Sequence, residues 1–306
     1  MSRQLCITSV DGHTDIQQNK TIGSITGPSL YPDADSSKEL NKLGAKIVPH
    51  DPGRLKDMVL TLQGVGDDAI YNITVELIEA TRKANIPNVC FVSSAGCDLA
   101  DREKQPRLRE FTDLEAMFMS SKGDPSTSTG HSPVVVRAGF YAENLLVYSR
   151  QTQEEGTLPL PVGVDHKFAP IALGDVAQVV THVSSGEEKH GFSHRHRGQL
   201  MVLTGPLLST GDELATAASN ALGVDLKFED IPEYAKKVLQ AQTDSSEIQY
   251  LLEYYSLVRE GKTNDISTTA FHDVTGGHPQ EPPNFFKTYS ESFHQTRDHE
   301  KRKLSK

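Results

Sequence analysis

Two short apolar runs constrain this chain more than anything else in it. "NVCFVSSAG" (Asn88–Gly96) and "SPVVVRAGF" (Ser132–Phe140) show no alternation of polar and apolar residues. A strand of that kind needs cover on both faces, which is the signature of a parallel sheet. Between them "FTDLEAMFMSSK" has a helical pattern. Strand, helix and strand in that order predict a parallel sheet with right-handed crossovers.

The upstream third repeats the pattern. "QLCITSV" reads as a strand. "SSKELNKLG" reads as a helix with Gly44 as its C-terminal cap, and "AKIVPHD" (Ala45–Asp51) as the next strand. "RLKDMVLTLQGV" reads as a helix stopping near Gly64. Ile70, Ile73, Thr74, Leu77, Ile78 and Thr81 then fall on one helical face, and Pro87 stops that helix.

Downstream, "TLPLPVGVDHKFAPIALGDVAQVVTHV" is strand-and-turn material followed by a short helix from about Gly174. "QLMVLTGP" (Gln199–Pro206) is a late strand. "STGDELATAASNALG" opens on a capping box, Thr210 with Glu213, and closes at Gly223. In "SSEIQYLLEYYSLVREG", Ile248, Leu251, Leu252, Tyr255 and Val258 share one face. The expected class is α/β: a Rossmann-like parallel sheet with a smaller C-terminal α/β domain. Residues 1–155 form the first domain, to which residues about 172–205 return, and residues 156–306 form the second.

A net charge of −10 disfavours attraction to a phosphate backbone, so no direct nucleic-acid partner is expected. The basic tail "RDHEKRKLSK" also carries acids and reads as a solvated terminus. "SKGDPSTSTGHS" (Ser121–Ser132) reads as a surface loop. Cys6, Cys90 and Cys97 make no disulfide framework. Cys6 and Cys90 read as small buried hydrophobes, which fits a reducing compartment. There is no signal-peptide pattern and no apolar run near the length of a membrane span, so the chain is expected in cytoplasm or nucleus with no membrane partner.

Four segments resemble the NmrA-like proteins, an atypical branch of the short-chain dehydrogenase/reductases. They are "VVVRAGFYAENLL", "FAPIALGDVAQVV" with Gly174-Asp175-Val176-Ala177, "VLTGPLLSTGDELATAASNALGVDLKFEDIP", and "DVTGGHPQEPPNFFKTYSESF". They lie between residues 134 and 293. The resemblance implies an NAD(P)-binding Rossmann fold. Some members are NAD(P)-dependent reductases; others bind the dinucleotide without turnover and regulate transcription factors.

Three features depart from the family pattern. Its Thr-Gly-x-x-Gly-x-x-Gly turn falls here on Thr8, Ser9, Gly12 and Asp15, so only the middle glycine is kept. Glycines there permit the tight turn and let backbone approach the pyrophosphate. Asp15 sets a carboxylate where that anion would rest, and like charges repel. "SVDGHT" then reads as a plain turn, and NAD or NADP binding as weak or lost. "GPSLYPD" offers no arginine for a ribose phosphate, which favours NAD over NADP. The second departure lies in "LQGVGDDAIYNITVELIEATRKA", which has room for the helix but hardly for a fourth strand as well. The expectation is a strand absent or reduced to "DDAIYNI".

The third departure is catalytic. A reductase of this class uses Tyr and Lys four residues apart on a helix. With Glu115 laid on the family's helix glutamate, Arg107 takes the Tyr position and Phe111 the Lys position. Neither does that chemistry, so no catalytic residue is assigned. The residues expected to line a cofactor site are Thr8, Gly12, Ser93, Ser94, Phe140, Tyr141 and Asn144. "SSAG" (Ser93–Gly96) either polarises a substrate or caps a strand end. The alternative for the segment holding Tyr141 and Asn144 is structural, an ion pair between Arg137 and Glu143. His190, His194 and His196 in "HGFSHRHRG" resemble zinc ligands, but the interleaved arginines repel a cation, so the segment reads as a loop with no metal. Together these features favour a regulatory or redox-sensing protein acting on a transcription factor; the alternative is an NAD(P)-dependent reductase of a quinone or other small carbonyl compound.

Overall fold

The computed structural model describes residues 3–7, 22–29, 33, 35–49, 59–63, 68–123, 131–185, 192–231 and 245–293. Seven parallel strands form the main sheet: β1 (Arg3–Ile7), β2 (Ile22–Ser29), β3 (Lys46–Pro49), β4 (Val59–Gln63), β5 (Val89–Ser94), β6 (Val134–Ala138) and β8 (Leu200–Leu203). Their order is β3-β2-β1-β4-β5-β6-β8. The chain steps outward from β1 to β3, then crosses back to β4. That reversal makes the switch point where α/β sheets bind ligands, outside the carboxyl ends of the strands. A second parallel pair joins β7 (Thr157–Leu160) to β9 (Lys227–Asp230).

Every residue of β5 and β6 is buried, as their unbroken apolar runs require. Their alternate side chains feed two cores. Val89, Phe91 and Val135 join a cluster with α2 (Asp68–Lys83), α3 (Pro106–Met119) and α7 (Ser245–Arg259). Cys90, Val92, Val134 and Val136 meet Val176, Val179, Val180 and Val183 of α5 (Leu173–Ser184) on the other face. Burial pushes the Cys90 and Cys97 thiols up to about 12, so both stay protonated packing groups.

The helix expected over Arg54–Val65 is not formed where the structure describes it. Val59–Gln63 is β4, paired with β1 from Leu5↔Val59 and with β5 from Leu60↔Val89. The fourth strand is therefore present, in the middle of the sheet, and Asp68–Ile73 opens α2 instead of forming a reduced strand. A ladder on both sides satisfies the backbone of a five-residue run that helical spacing would also accommodate.

Other elements fall where the sequence places them. Thr74, Leu77, Ile78 and Thr81 of α2 are buried. Between α1 (Asp35–Lys42) and β3, Gly44 takes φ 97°. Thr210 and Glu213 close both hydrogen bonds of the capping box on α6 (Gly211–Leu222), which ends at Gly223 with φ 70°. Ser149–Glu155 forms α4, and the C-terminal part adds α8 (Ala270–Thr275), α9 (Pro282–Thr288) and α10 (Ser290–Phe293). Among the described residues, no helix is long and apolar enough to cross a membrane.

Candidate functional site

The carboxyl ends of β5 and β6 gather most of the site residues read from the sequence. Ser93 and Ser94 close β5; Phe140 and Tyr141 follow β6 directly. The two serines face different partners. Ser93 Oγ donates to Glu115 Oε1 at 2.6 Å, beneath the strand ends. Ser94 Oγ shares a 2.8 Å hydrogen bond with the hydroxyl of Tyr250, on α7.

Glu115 anchors a buried network. Arg137 Nε donates to its Oε1 at 2.8 Å and Nη2 to its Oε2 at 2.7 Å, a two-point pairing. Arg137 Nη1 meets Asp98 Oδ2 at 2.8 Å. The ion pair expected between Arg137 and Glu143 is therefore not made. Arg137 lies on the same face of β6 as Val135, toward α3, so the α3 glutamate takes it.

Glu143, in a 3-10 helix over Ala142–Tyr148, serves another purpose. Its Oε2 accepts from the Leu173 amide at 2.9 Å at the start of α5, and its Oε1 from the Tyr289 hydroxyl at 3.2 Å. Asp175 Oδ2 accepts from the Gln280 amide at 2.7 Å. These two acids tie the C-terminal segment to α5. Burial raises both above the usual carboxylate range, against the lowering by those amides, and Asp175 adds to the rise at Glu143. A carboxyl with a raised folded value gives stability that is full below its ordinary value, here 4.5, and lost as pH rises through the raised one. Glu143→Gln should therefore gain on the wild type as pH increases. Melting temperatures at about pH 4 and about pH 7 check this: variant minus wild type is expected to be more positive at the higher pH.

Aromatic groups pack beside Tyr250, the partner of Ser94. Phe140 packs on Phe168 at 5.2 Å, Tyr255 at 5.5 Å and Tyr254 at 5.6 Å between ring centroids. Tyr250 lies 6.0 Å from Phe111 and 6.4 Å from Tyr254. Burial pushes the Tyr250 phenol up to about 12, and Ser94 partly offsets this. The Tyr141 phenol is raised well above its usual value, first by burial, then by Tyr250 and Glu143 nearby.

Ser94 and Phe140 are thus linked through Tyr250 and Tyr254, with Ser93 turned away to Glu115, while Tyr141 packs against the core on the α5 side. Asn144 stands in the 3-10 helix and makes no side-chain hydrogen bond within the described residues. Thr8 and Gly12, with Ser9 and Asp15, lie outside the described residues. The sequence reading missed Tyr250 and Tyr254; their signal was a tyrosine pair at i, i+4 beside the apolar stripe of α7. Phe111 is buried and Arg107 pairs with Glu110 at 3.3 Å, so neither supplies a proton relay. His190 lies outside the described residues; His196 Nδ1 bonds Ser193 Oγ at 3.2 Å. Among the described residues, no three metal-ligating side chains converge.

A parallel sheet with this strand order, helices on both faces and polar groups at the carboxyl ends of its strands defines a dinucleotide-binding type of α/β protein. Comparison with known proteins narrows the class. No family model matches the chain. It is 26% identical over 210 residues to the NAD(P)H azoreductase of Xenophilus azovorans, covering 65% of this chain and 66% of that protein, just short of two thirds of its length. In structure it resembles the NADPH-dependent quinone oxidoreductase QOR2 of Escherichia coli in complex with NADPH. That match has a TM-score of 0.72 and 16% identity, covering 94% of this chain and 99% of the other. It also resembles NmrA, a negative transcriptional regulator, in complex with NADP. There the TM-score is 0.67 and the identity 12%, covering 94% of each chain. The chain therefore shares the fold of these proteins, a Rossmann-like parallel α/β sheet.

Proposed function

We propose that this protein is a dinucleotide-responsive regulator: it senses NAD(P) at the carboxyl ends of β1, β4, β5 and β6 and acts on a protein partner, a transcription factor, in cytoplasm or nucleus. One observation carries the reading. The positions of the proton-relay pair hold Arg107 and a buried Phe111, while Ser93 is committed to Glu115. Such a site can hold a ligand, but no Tyr/Lys pair is set for proton transfer. The similarity to a regulator that binds NADP supports the same reading. Asp15 and the missing glycines make the affinity weak, and the absence of a ribose-phosphate arginine in "GPSLYPD" favours NAD.

The second reading is an NAD(P)H reductase of a quinone or other small carbonyl compound by direct hydride transfer. The azoreductase and quinone oxidoreductase similarities favour it. With β4 in place, the sheet itself is no obstacle.

Thermal shifts with NAD, NADH, NADP and NADPH, paired with an NAD(P)H oxidation assay, separate the two. A ligand at a hundred times its dissociation constant stabilises the folded state by about 2.7 kcal/mol. A rise in melting temperature without oxidation is the expected result. Sustained oxidation with a quinone acceptor overturns it in favour of the reductase, and no shift with any of the four dinucleotides rules out both.

A further inference from the structure

We infer that residues 276–293 form a strap whose grip on the rest of the fold is set by the charge on two carboxyl groups, those of Asp175 and Glu143. The strap leaves α8, whose Phe271 is buried in the core on the α5 side of the sheet. It ends on the smaller domain, where α9 packs on α6 and α10 on α4, with Phe285, Phe286 and Phe293 buried. The two acids tie it on either side of α9. The Gln280 amide donates to Asp175 Oδ2 at 2.7 Å before that helix, and the Tyr289 hydroxyl to Glu143 Oε1 at 3.2 Å after it.

Both ties end on the first turn of α5. Asp175 belongs to that turn, and Glu143 Oε2 accepts from the Leu173 amide that opens it, at 2.9 Å. A helical turn rises only about 5.4 Å, so two half-buried carboxyl groups stand close together. Their three donors are all neutral, and among the described residues neither acid pairs with a cation. The other ionisable side chains on the surrounding elements are Tyr141 beside Glu143, His272 and Asp273 on α8, His278 after it, and Glu281 and Lys287 at the ends of α9. Asp273 is taken by Thr269 Oγ1 at 2.8 Å, and His272 stacks on His278 at 5.5 Å between ring centroids.

Ionising the first acid costs desolvation; ionising the second adds repulsion between like charges. Burial is the first cause of the raised value of each group, and Asp175 adds to the rise at Glu143. Such groups give stability that is full below their ordinary values and lost as pH rises through the raised ones. The strap is therefore held most firmly in mildly acid medium and loosens when both acids are charged. The opening is local, because the sheet keeps its own ladders.

This inference goes beyond the proposed function and holds with or without a dinucleotide. The test is hydrogen–deuterium exchange of the full chain at about pH 5 and about pH 8, corrected for intrinsic rates, with β5 and β6 as the internal reference. The chains compared are the wild type, Glu143→Gln, Asp175→Asn and the double variant. Each new side chain keeps an oxygen for the backbone amide that donates to it, so folding is expected to be unchanged. In the wild type, protection over residues 280–289 should fall about fivefold or more at the higher pH relative to the reference, the factor for one close pair of like charges in a water-like medium. Each single variant should reduce that fall, and the double variant should abolish it. A fall that is absent from the double variant upholds the strap. A fall that survives there overturns it and passes the pH dependence to His272 and His278, and equal protection of the wild type at both pH values overturns it as well.

Discussion

Glu115→Ala should lower folding stability by about 3–5 kcal/mol, the usual cost of stranding one member of a buried ion pair. Glu115 is 4% exposed and takes two bonds from Arg137, one from Ser93 and a longer one from the Cys97 thiol. Without it, Arg137 keeps only Asp98, a half-exposed partner at Nη1, while its Nε and Nη2 have no acceptor. The Ser93 hydroxyl loses its acceptor as well. Urea unfolding measures the loss. The double variant Glu115→Leu/Arg137→Met removes both charges and should recover much of the stability, because well-packed apolar groups often replace a buried pair without loss. If the single variant stays within about 1 kcal/mol of the wild type, the pair is not desolvated as the structure has it.

The strand and helix pattern was legible wherever a segment fits one period only. β5 and β6 could be nothing but doubly covered strands, and α6 announced both its ends with Thr210, Glu213 and Gly223. β4 was not legible, because Leu55, Val59 and Leu62 also repeat at helical spacing. Only the ladders to β1 and β5 decide its conformation, and those are tertiary. The site divided in the same way. Ser94, Phe140 and Tyr141 are strand-end residues, so the sheet topology places them. Tyr250 arrives from 156 residues later in the chain, and no local pattern couples it to Ser94. Arg137 pairs with Glu115 on α3 and not with Glu143, because sequence distance says nothing about which face of β6 a side chain takes.

The second large effect is steric and reaches the site through backbone. Segment 169–171 is threaded between the ends of β6 and β8. Ile171 N donates to Phe140 O at 2.8 Å and Ala142 N to Ile171 O at 2.8 Å on one side; Gly205 N donates to Ala169 O at 3.2 Å on the other. A Cβ on Gly205 would stand 1.8 Å from the Pro170 carbonyl oxygen. That neighbour is backbone, so no rotamer change relieves it, and the thread must move toward Phe140 and Tyr141. Gly205→Ala is therefore expected to cost about 3 kcal/mol or more, the top of the range for overpacking. At about 2–4 °C per kcal/mol, the melting temperature should fall by roughly 6–12 °C. Gly174→Ala is the matched control: a Cβ there meets nothing within 4 Å, and Gly174 lies in α5, where alanine is the better helix former. Calorimetric melting of the two variants side by side should show a large fall for the first and none for the second. Equal melting temperatures would mean that segment 169–171 does not pack against Gly205, and the ties from Ile171 to Phe140 and Ala142 that fix the turn after β6 would lose their support.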